Sequence, residues 1–218
     1  MSQGPLSTDA QMHLDQIKTE TLDAARTRAK GKRHSKGYRT ARENLLDLVD
    51  DSSFVEYGQL AVAAQRDRRD PSTLRVDTAA DGVITGTATI NATLLPDERA
   101  DVAVAIYDYS VLAGTQGFFH HNKLDRIFEI AERERLPFVM YTEGGGGRPG
   151  DTDVKVNIAG LNSTSFSRWA GLTGKAPRIT VNNGYCFAGN AALFGAGDVR
   201  IATKSSSIGM AGPAMIEG

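Results

Sequence analysis

The sequence is poor in cysteine and has no long apolar run, and both absences narrow what kind of protein it encodes. Cys186 is the only cysteine, so an intramolecular disulfide and a cysteine-cluster zinc site are excluded. No apolar stretch reaches the roughly 18 residues that span a membrane, and the first residues lack the apolar core of a signal peptide. We therefore expect a cytoplasmic protein that contacts no membrane.

The sequence also lacks an overall excess of positive or negative charge. The formal net charge is -1, so the overall charge does not favour nucleic-acid binding. One local excess is basic and can be interpreted in two ways. It is either a solvated helix face, or a contact for the phosphates of an anionic ligand or for an acidic partner surface. It comprises Arg26, Lys30, Lys32, Arg33, Lys36, Arg39 and Arg42.

Hydrophobic periodicity predicts an N-terminal helical arm followed by an α/β domain. A helix is expected over residues 8–29, a basic link over 31–37, and a second helix after a capping box formed by Thr40 and Glu43. We assign residues 1–39 to the arm and 40–218 to the domain. Within the domain the predicted strands are 54–57, 82–90, 101–107, 136–141, 179–181 and 199–202, the predicted helices 124–135, 157–172 and 188–195, and a predicted loop 66–72.

The most informative feature is a pair of glycine-rich turns, 142–150 and 183–190, each of which follows an apolar strand. Such turns expose backbone N–H groups, and two of them can stabilise the charge on a carbonyl oxygen that enolises. The alternative is a flexible surface loop and a tight turn. Neither turn contains Gly-Lys-Ser/Thr or a dinucleotide-binding glycine pattern, which disfavours phosphate-loop and nucleotide functions.

The second turn and its surroundings, 183–193 with 198–202, resemble the second oxyanion turn of the crotonase superfamily. Five further segments are similar to the acyl-CoA carboxyltransferase branch: 40–43 with 51–56, 81–86, 103–111, 143–148 and 208–213. The resemblance spans residues 40–218. It implies a crotonase-like α/β fold, a repeated ββα spiral, and the N-terminal domain of a carboxyltransferase beta subunit.

The resemblance also implies a reaction and its site residues. An acyl-CoA thioester is the substrate, and the carboxyl group comes from carboxybiotin on a separate carrier domain. Carbon dioxide is released, the α-proton passes to biotin, and the thioester enolate attacks the carbon dioxide, with no metal bound by this chain. The implied catalytic residues are Gly145, Gly146, Gly147, Gly189 and Asn190. The implied substrate contacts are Gly144, Arg148, Gly184, Phe187, Ala188, Gly212 and Pro213.

Several positions need individual interpretation. The general acid and base glutamates of crotonase-type hydratases would align at Ala192 and near Ala214, and their absence counts against hydration. Asn190 stands where the family usually has glycine, and it either contacts the thioester or biotin or caps the helix. Arg148 either pairs with a CoA phosphate or bonds the turn. The pair at 120–121, two histidines, is expected to face solvent or start a helix, with substrate contact as the alternative.

The resembled enzymes have two related domains, and their active site lies between the N-domain of one subunit and the C-domain of another. The sequence ends at Gly218, within a loop of the resembled domain, so we expect a split subunit or a fragment that is inactive without its C-terminal domain. Expected partners are that domain, the biotin carboxyl carrier and biotin carboxylase components, in a homo- or hetero-oligomer. The alternative functions are a stand-alone acyl-CoA decarboxylase or isomerase, and a non-catalytic CoA-binding or scaffolding subunit.

Overall fold

The computed structural model describes residues 8–95, 97–154 and 163–212. The described helices are α1 Thr8–Glu20, α2 Thr27–His34, α3 Ala41–Leu48, α4 Pro71–Asp77, α5 Phe118–Glu134, α6 Ser165–Gly171 and α7 Gly189–Gly195. The described strands are β1 Val55–Tyr57, β2 Val83–Thr89, β3 Asp101–Tyr107, β4 Phe138–Tyr141, β5 Arg178–Asn182, β6 Tyr185–Phe187, β7 Val199–Ala202 and β8 Ser207–Gly209. The mixture of helices and strands agrees with the predicted α/β class.

A six-stranded mixed sheet forms the centre of the domain, in the order β1-β2-β3-β4-β5-β7. β1, β2 and β3 pair antiparallel, whereas β3, β4, β5 and β7 run parallel. The apolar sequence of β3 suits its central place, because a strand covered on both faces needs apolar residues on both. β6 and β8 pair parallel in a separate two-stranded sheet.

Helices α5 and α6 cover one face of the sheet. The apolar face of α5 buries Leu124, Ile127 and Phe128 at 1% exposure or less. Trp169 of α6 lies with its ring centroid 5.3 Å from those of Phe128 and Phe138, and its Nε1 donates to Leu193 O at 3.0 Å. Burial of these large side chains joins α5, α6, β4 and α7 into one core.

The N-terminal arm differs from the prediction of one helix over 8–29. The chain turns between α1 and α2, where Thr21 Oγ1 donates to Lys18 O at 2.7 Å. α1, which is described in full, has no fully buried residue; Leu14 and Ile17 of its predicted apolar face are half-buried, and α1 contacts α4. α2 continues to His34, so the predicted basic link is largely helical. The arm is divided because Arg26 and Arg33 insert into the domain, and one continuous helix would direct them elsewhere.

Three other predictions are corrected. The proline in 66–72 predicts a loop there, but α4 begins at Pro71. Proline is tolerated at the first position of a helix, because the N–H that it lacks would have no intrahelical partner there. Asp70 caps α4 by accepting from Ser72 N at 2.9 Å. Of the helix predicted over 157–172, Ser165–Gly171 is helical, and 157–162 lie outside the described residues. β6 and β8 are not among the predicted strands: β6 lies within the segment predicted as the second glycine-rich turn, and β8 is three residues long and ends at Gly209.

Candidate active site

The two glycine turns meet at one edge of the sheet. They follow β4 and β5, which are parallel neighbours, so both strands end at the same edge. Gly144 N donates to Tyr185 O at 2.7 Å, and Phe187 N donates to Gly144 O at 2.9 Å. A Cβ atom built on Gly146 would lie 3.7 Å from Gly189 N. The two glycine-rich turns are therefore in direct contact, as their positions after two apolar strands predicted.

The N–H groups of the first turn divide into bonded and unbonded ones. Gly145 N donates to Ala113 O at 3.0 Å, and Gly146 N donates to Asn190 Oδ1 at 3.0 Å. Gly147 is exposed, and no hydrogen bond among the described residues uses its N–H. The N–H of Gly147 is thus available to a ligand, whereas the N–H groups of Gly145 and Gly146 are bonded within the protein.

The second turn ends in a strained residue followed by unbonded N–H groups. Ala188 has φ 50° and ψ −120°, a conformation that costs about 1–3 kcal/mol and that tends to occur at functional sites. Ala192 N donates to Ala188 O at 3.0 Å and closes the first turn of α7. Gly189 is the first residue of α7, so its N–H has no intrahelical partner, and no described residue accepts from it. A Cβ atom on Gly189 would lie 2.6 Å from Gln116 Oε1 and 3.0 Å from Phe166 Cζ, so a larger residue would require these side chains to shift.

Asn190 is fully buried and points into the protein. Besides accepting from Gly146 N, its side chain donates through Nδ2 to Thr142 O at 3.1 Å and to Gly114 O at 3.5 Å. It makes no helix cap and reaches no open space, so neither interpretation of Asn190 from the sequence describes these contacts. They link α7 to the end of β4, to the first turn and to the loop before α5.

Arg148 is also turned inward. Its guanidinium, 4% exposed in the side chain, pairs with Asp81 and donates to Thr115 O at 2.6 Å. Burial raises the pKa of Asp81, and Arg148 opposes this rise. The contacts match the structural alternative for Arg148, because its donors face protein acceptors rather than the surface.

Glu143 joins the first turn to the arm. Its two carboxylate oxygens accept from Arg33 Nη1 at 2.8 Å and from Arg33 Nη2 at 2.6 Å. A Cβ atom on Gly184 would lie 2.3 Å from Glu143 Oε1, so the second turn packs on the same carboxylate. Gly184 is buried against Glu143 and is not open to a ligand. The role of Arg33 was missed, because nothing in a basic run distinguishes a buried arginine from exposed ones.

A cleft of about 470 Å³ lies between α2 and the first turn. Lys32 of α2 and Lys36, just after it, are exposed and line the cleft, as does Ala113, whose carbonyl bonds Gly145. Tyr185 is also part of the lining and stacks on Phe187 with ring centroids 5.7 Å apart. The cleft thus connects part of the basic segment to the glycine turns.

The remaining predicted positions are partly outside the site. A Cβ atom on Gly212 would lie 3.8 Å from the Phe187 ring, and Pro213 lies outside the described residues. His120 and His121 occupy the first turn of α5 as predicted, but both are buried, so the solvent-facing expectation is wrong. Burial lowers the pKa of His121 to about 4.

Neither a metal-binding cluster nor a membrane-spanning helix is found in the part of the chain that the structure describes. No group of three or more His, Cys, Asp and Glu side chains in the described ranges could hold a metal ion. Among the helices in these ranges, none combines the length and the apolar character that crossing a membrane requires.

The carboxyl transferase domain family matches residues 32–218, a range that begins inside α2. The propionyl-CoA carboxylase beta chain of Saccharopolyspora erythraea is 32% identical over 171 residues, 78% of this chain and 29% of that protein. The methylmalonyl-CoA carboxyltransferase 12S subunit of Propionibacterium freudenreichii subsp. shermanii is 30% identical over 192 residues, 85% of this chain and 33% of that protein.

A solved single-chain, multi-domain long-chain acyl-CoA carboxylase superposes with a TM-score of 0.89 at 52% identity, covering 98% of this chain and 21% of that one. The chain therefore spans about a third or less of the length of these relatives. The predicted crotonase-like α/β fold is confirmed by this superposition.

Proposed function

Because the chain belongs to the carboxyl transferase domain family, we propose that it forms the acyl-CoA-binding half of a biotin-dependent acyl-CoA carboxyltransferase. One observation carries the proposal: among the described residues none accepts from the N–H groups of Gly147 and Gly189, which lie on two turns that touch. Two such donors can bind one thioester oxygen. A donor in such a site typically contributes about 2.7–4 kcal/mol to transition-state stabilisation.

The glycine turns stabilise an enolate rather than the intact thioester. When the α-proton leaves, negative charge develops on the thioester oxygen, and donors already in place need no reorganisation to stabilise it. The strained φ of Ala188 and the absent side chains at 147 and 189 allow the oxygen to approach both amides. The chain's part in carboxyl transfer is therefore to make the α-carbon nucleophilic.

CoA is proposed to lie in the cleft beside α2. Lys32 and Lys36 would contact its phosphates, while the thioester would reach the first turn where Ala113 and Glu143 line the cleft. This selects the ligand-contact interpretation for part of the basic segment. Arg26 and Arg33, in contrast, serve the fold through ion pairs with Asp108 and Glu143.

No carboxylate among the described residues is placed to act as a general base at the turns. Glu143 is nearest in sequence, but Arg33 binds both of its oxygens and its side chain is 5% exposed. Position 192, which would hold a hydratase acid, is alanine. The described residues therefore favour a reaction in which the proton acceptor comes from outside this chain.

Carboxybiotin, delivered on a separate carrier domain, would supply the carboxyl group. The described residues form one pair of touching glycine turns, which fits a single carbonyl oxygen, the thioester's. We assign the groups that hold biotin to the C-terminal carboxyltransferase domain of a partner subunit. Together with biotin carboxyl carrier and biotin carboxylase components, these parts would form a cytoplasmic oligomer.

Reconstitution tests the function. The chain is mixed with a C-terminal carboxyltransferase domain, carboxylated biotin carrier, and acetyl-, propionyl- or long-chain acyl-CoA. We expect a carboxylated thioester that depends on every component. Absence of product with all three thioesters would refute the proposal, and decarboxylation of malonyl-type CoA by the chain alone would favour a stand-alone decarboxylase.

Calorimetric titration with propionyl-CoA tests the CoA cleft. The Lys32→Ala/Lys36→Ala variant should raise Kd roughly ten-fold, because two exposed ionic contacts of about 0.7 kcal/mol each are lost. Lys18→Ala is the matched control, since Lys18 is an exposed arm lysine outside the cleft, and its Kd should not change. Equal Kd values for all three proteins would place CoA elsewhere.

A further inference from the structure

The N–H that Gly147 offers has its direction set by the peptides around Gly146. Gly146 O accepts from Gln116 N at 2.7 Å. A trans peptide points its C=O and N–H in opposite directions. Bonding of Gly146 O to Gln116 therefore turns the N–H of Gly147 the other way. Gln116 O also accepts from Arg148 N at 2.9 Å, so the peptides on both sides of Gly147 are held by one residue.

Asn190 holds the peptide before this one. Its Oδ1 accepts from Gly146 N at 3.0 Å, so both peptide groups that flank the Gly146 Cα are bonded. Gly146 has φ +88°, a conformation that costs glycine little free energy but that glycine does not favour over others. The hydrogen bonds of the two peptide groups that flank Gly146 thus fix its φ and ψ, which glycine by itself leaves free.

The other end of the Asn190 amide is anchored to regular structure. Nδ2 donates to Thr142 O, directly after β4, and to Gly114 O. Asn190 is itself in the first turn of α7, directly after Gly189. One buried side chain thereby sets the position of the first turn relative to the helix that carries the second donor.

We propose that Asn190 is a positioning residue that holds the Gly147 and Gly189 donors at the spacing a single oxyanion needs. The inference rests on the proposed function of the turns. Asn190 is 0% exposed and acts through Gly146, so it touches no substrate. Without its amide, the buried N–H of Gly146 loses its partner and the Gly145–Gly146 peptide is released to rotate. Gln116 then holds the Gly147 peptide alone, and nothing ties its N–H to the helix that carries the Gly189 donor.

The test measures the polarisation of the bound thioester. Propionyl-CoA labelled with ¹³C at the carbonyl is bound to the chain, and its C=O stretch is followed by difference infrared spectroscopy. The wild-type protein should lower the frequency relative to free propionyl-CoA, because two N–H donors bind the oxygen. Asn190→Ala should return it most of the way to the free value while Kd changes less than about threefold, because the CoA cleft is unaltered.

Two more variants separate positioning from general damage. Asn190→Asp keeps an oxygen for Gly146 N and, because burial favours the protonated carboxyl, an O–H that can donate to Thr142 O, so it should keep the larger part of the shift. Asn44→Ala removes another buried asparagine, in α3 and away from the turns, and should keep all of it. In reconstituted carboxylation, Asn190→Ala should lower kcat roughly 10- to 100-fold with KM little changed, since small misplacements at a reacting centre cost about that much.

The outcomes distinguish the two proposals. A full wild-type shift in Asn190→Ala, or a shift lost equally in Asn190→Asp and Asn190→Ala, overturns the role of Asn190 and leaves the function standing. No shift in the wild-type protein with propionyl-CoA bound overturns the function, and the positioning role with it. If Asn190→Ala does not fold, Asn190→Ser, whose side chain is too short to bridge the same groups, takes its place with the same expected loss.

Discussion

Replacing Arg33 with alanine should destabilise the whole domain, although Arg33 belongs to the N-terminal arm. Arg33 binds both oxygens of Glu143, and the two side chains are 10% and 5% exposed. The guanidinium also donates through Nε to Arg39 O at 3.0 Å and lies 4.8 Å from the centroid of the Tyr38 ring. Removal would leave the Glu143 carboxylate buried without its counterion.

The magnitude follows from burial. Breaking a buried ion pair by removing one partner costs about 3–5 kcal/mol, because the remaining charge is uncompensated. A domain of ordinary stability has about 5–15 kcal/mol in total, so Arg33→Ala should remove a large part of it. Replacing both members by apolar side chains of similar volume, as in Arg33→Met/Glu143→Leu, should cost much less, because no charge remains in the interior.

Urea unfolding provides the assay. Trp169 is the only tryptophan and is 1% exposed, so its fluorescence reports unfolding of the core. For an m-value of about 2 kcal/mol/M, the midpoint in Arg33→Ala should fall by roughly 1.5–2.5 M. The control is Arg39→Ala, whose pair with Asp47 has side chains 55% and 64% exposed and should contribute little to stability, because solvent screens an exposed pair.

The reasoning would be refuted by equal midpoints for Arg33→Ala and Arg39→Ala. It would also be refuted if the apolar double variant were less stable than Arg33→Ala, since then loss of packing rather than an unpaired charge would explain the effect. A lowered midpoint in Arg33→Ala that the double variant largely restores is the expected pattern.

Three further predictions concern stability and reactivity. Gly146→Ala should lower the free energy of unfolding by about 1–3 kcal/mol more than Gly174→Ala. Both glycines have positive φ, but only at Gly146 would the new Cβ meet a neighbour, Ala188 Cβ at 2.7 Å. Equal urea midpoints for the two variants would contradict this prediction. Burial lowers the pKa of Lys123 from 10.5 to about 8. Between these pH values the unfolded chain binds more protons than the folded chain, so the free energy of unfolding should rise from pH 8 to 10.5. A Lys123→Met variant with the same pH dependence would exclude Lys123 as the cause. Burial raises the pKa of Cys186 to about 11, so iodoacetamide at pH 8 should label it only after unfolding, and rapid native labelling would show that the thiol is accessible.

Local patterns predicted much of the sheet. The apolar run over 101–107 and the β-branched segment over 82–90 correspond to β3 and β2, because strand formation here follows from residue type and alternation. The arm could not be predicted in the same way. Its helices lack an apolar face that is buried, and the break between them depends on Arg26, whose partner Asp108 is 82 residues away.

The sequence by itself determined the chemistry that the site can offer. Glycines after two apolar strands bring bare N–H groups to one edge of a sheet, and alanine stands at 192, where the resemblance to crotonase-type hydratases implies an acid. The tertiary structure alone decided which donors remain unbonded. Asn190 bonds Gly146 across 44 residues and Arg33 bonds Glu143 across 110. Such contacts form only when folding excludes water from polar groups that must then bond each other, and no local pattern specifies their partners.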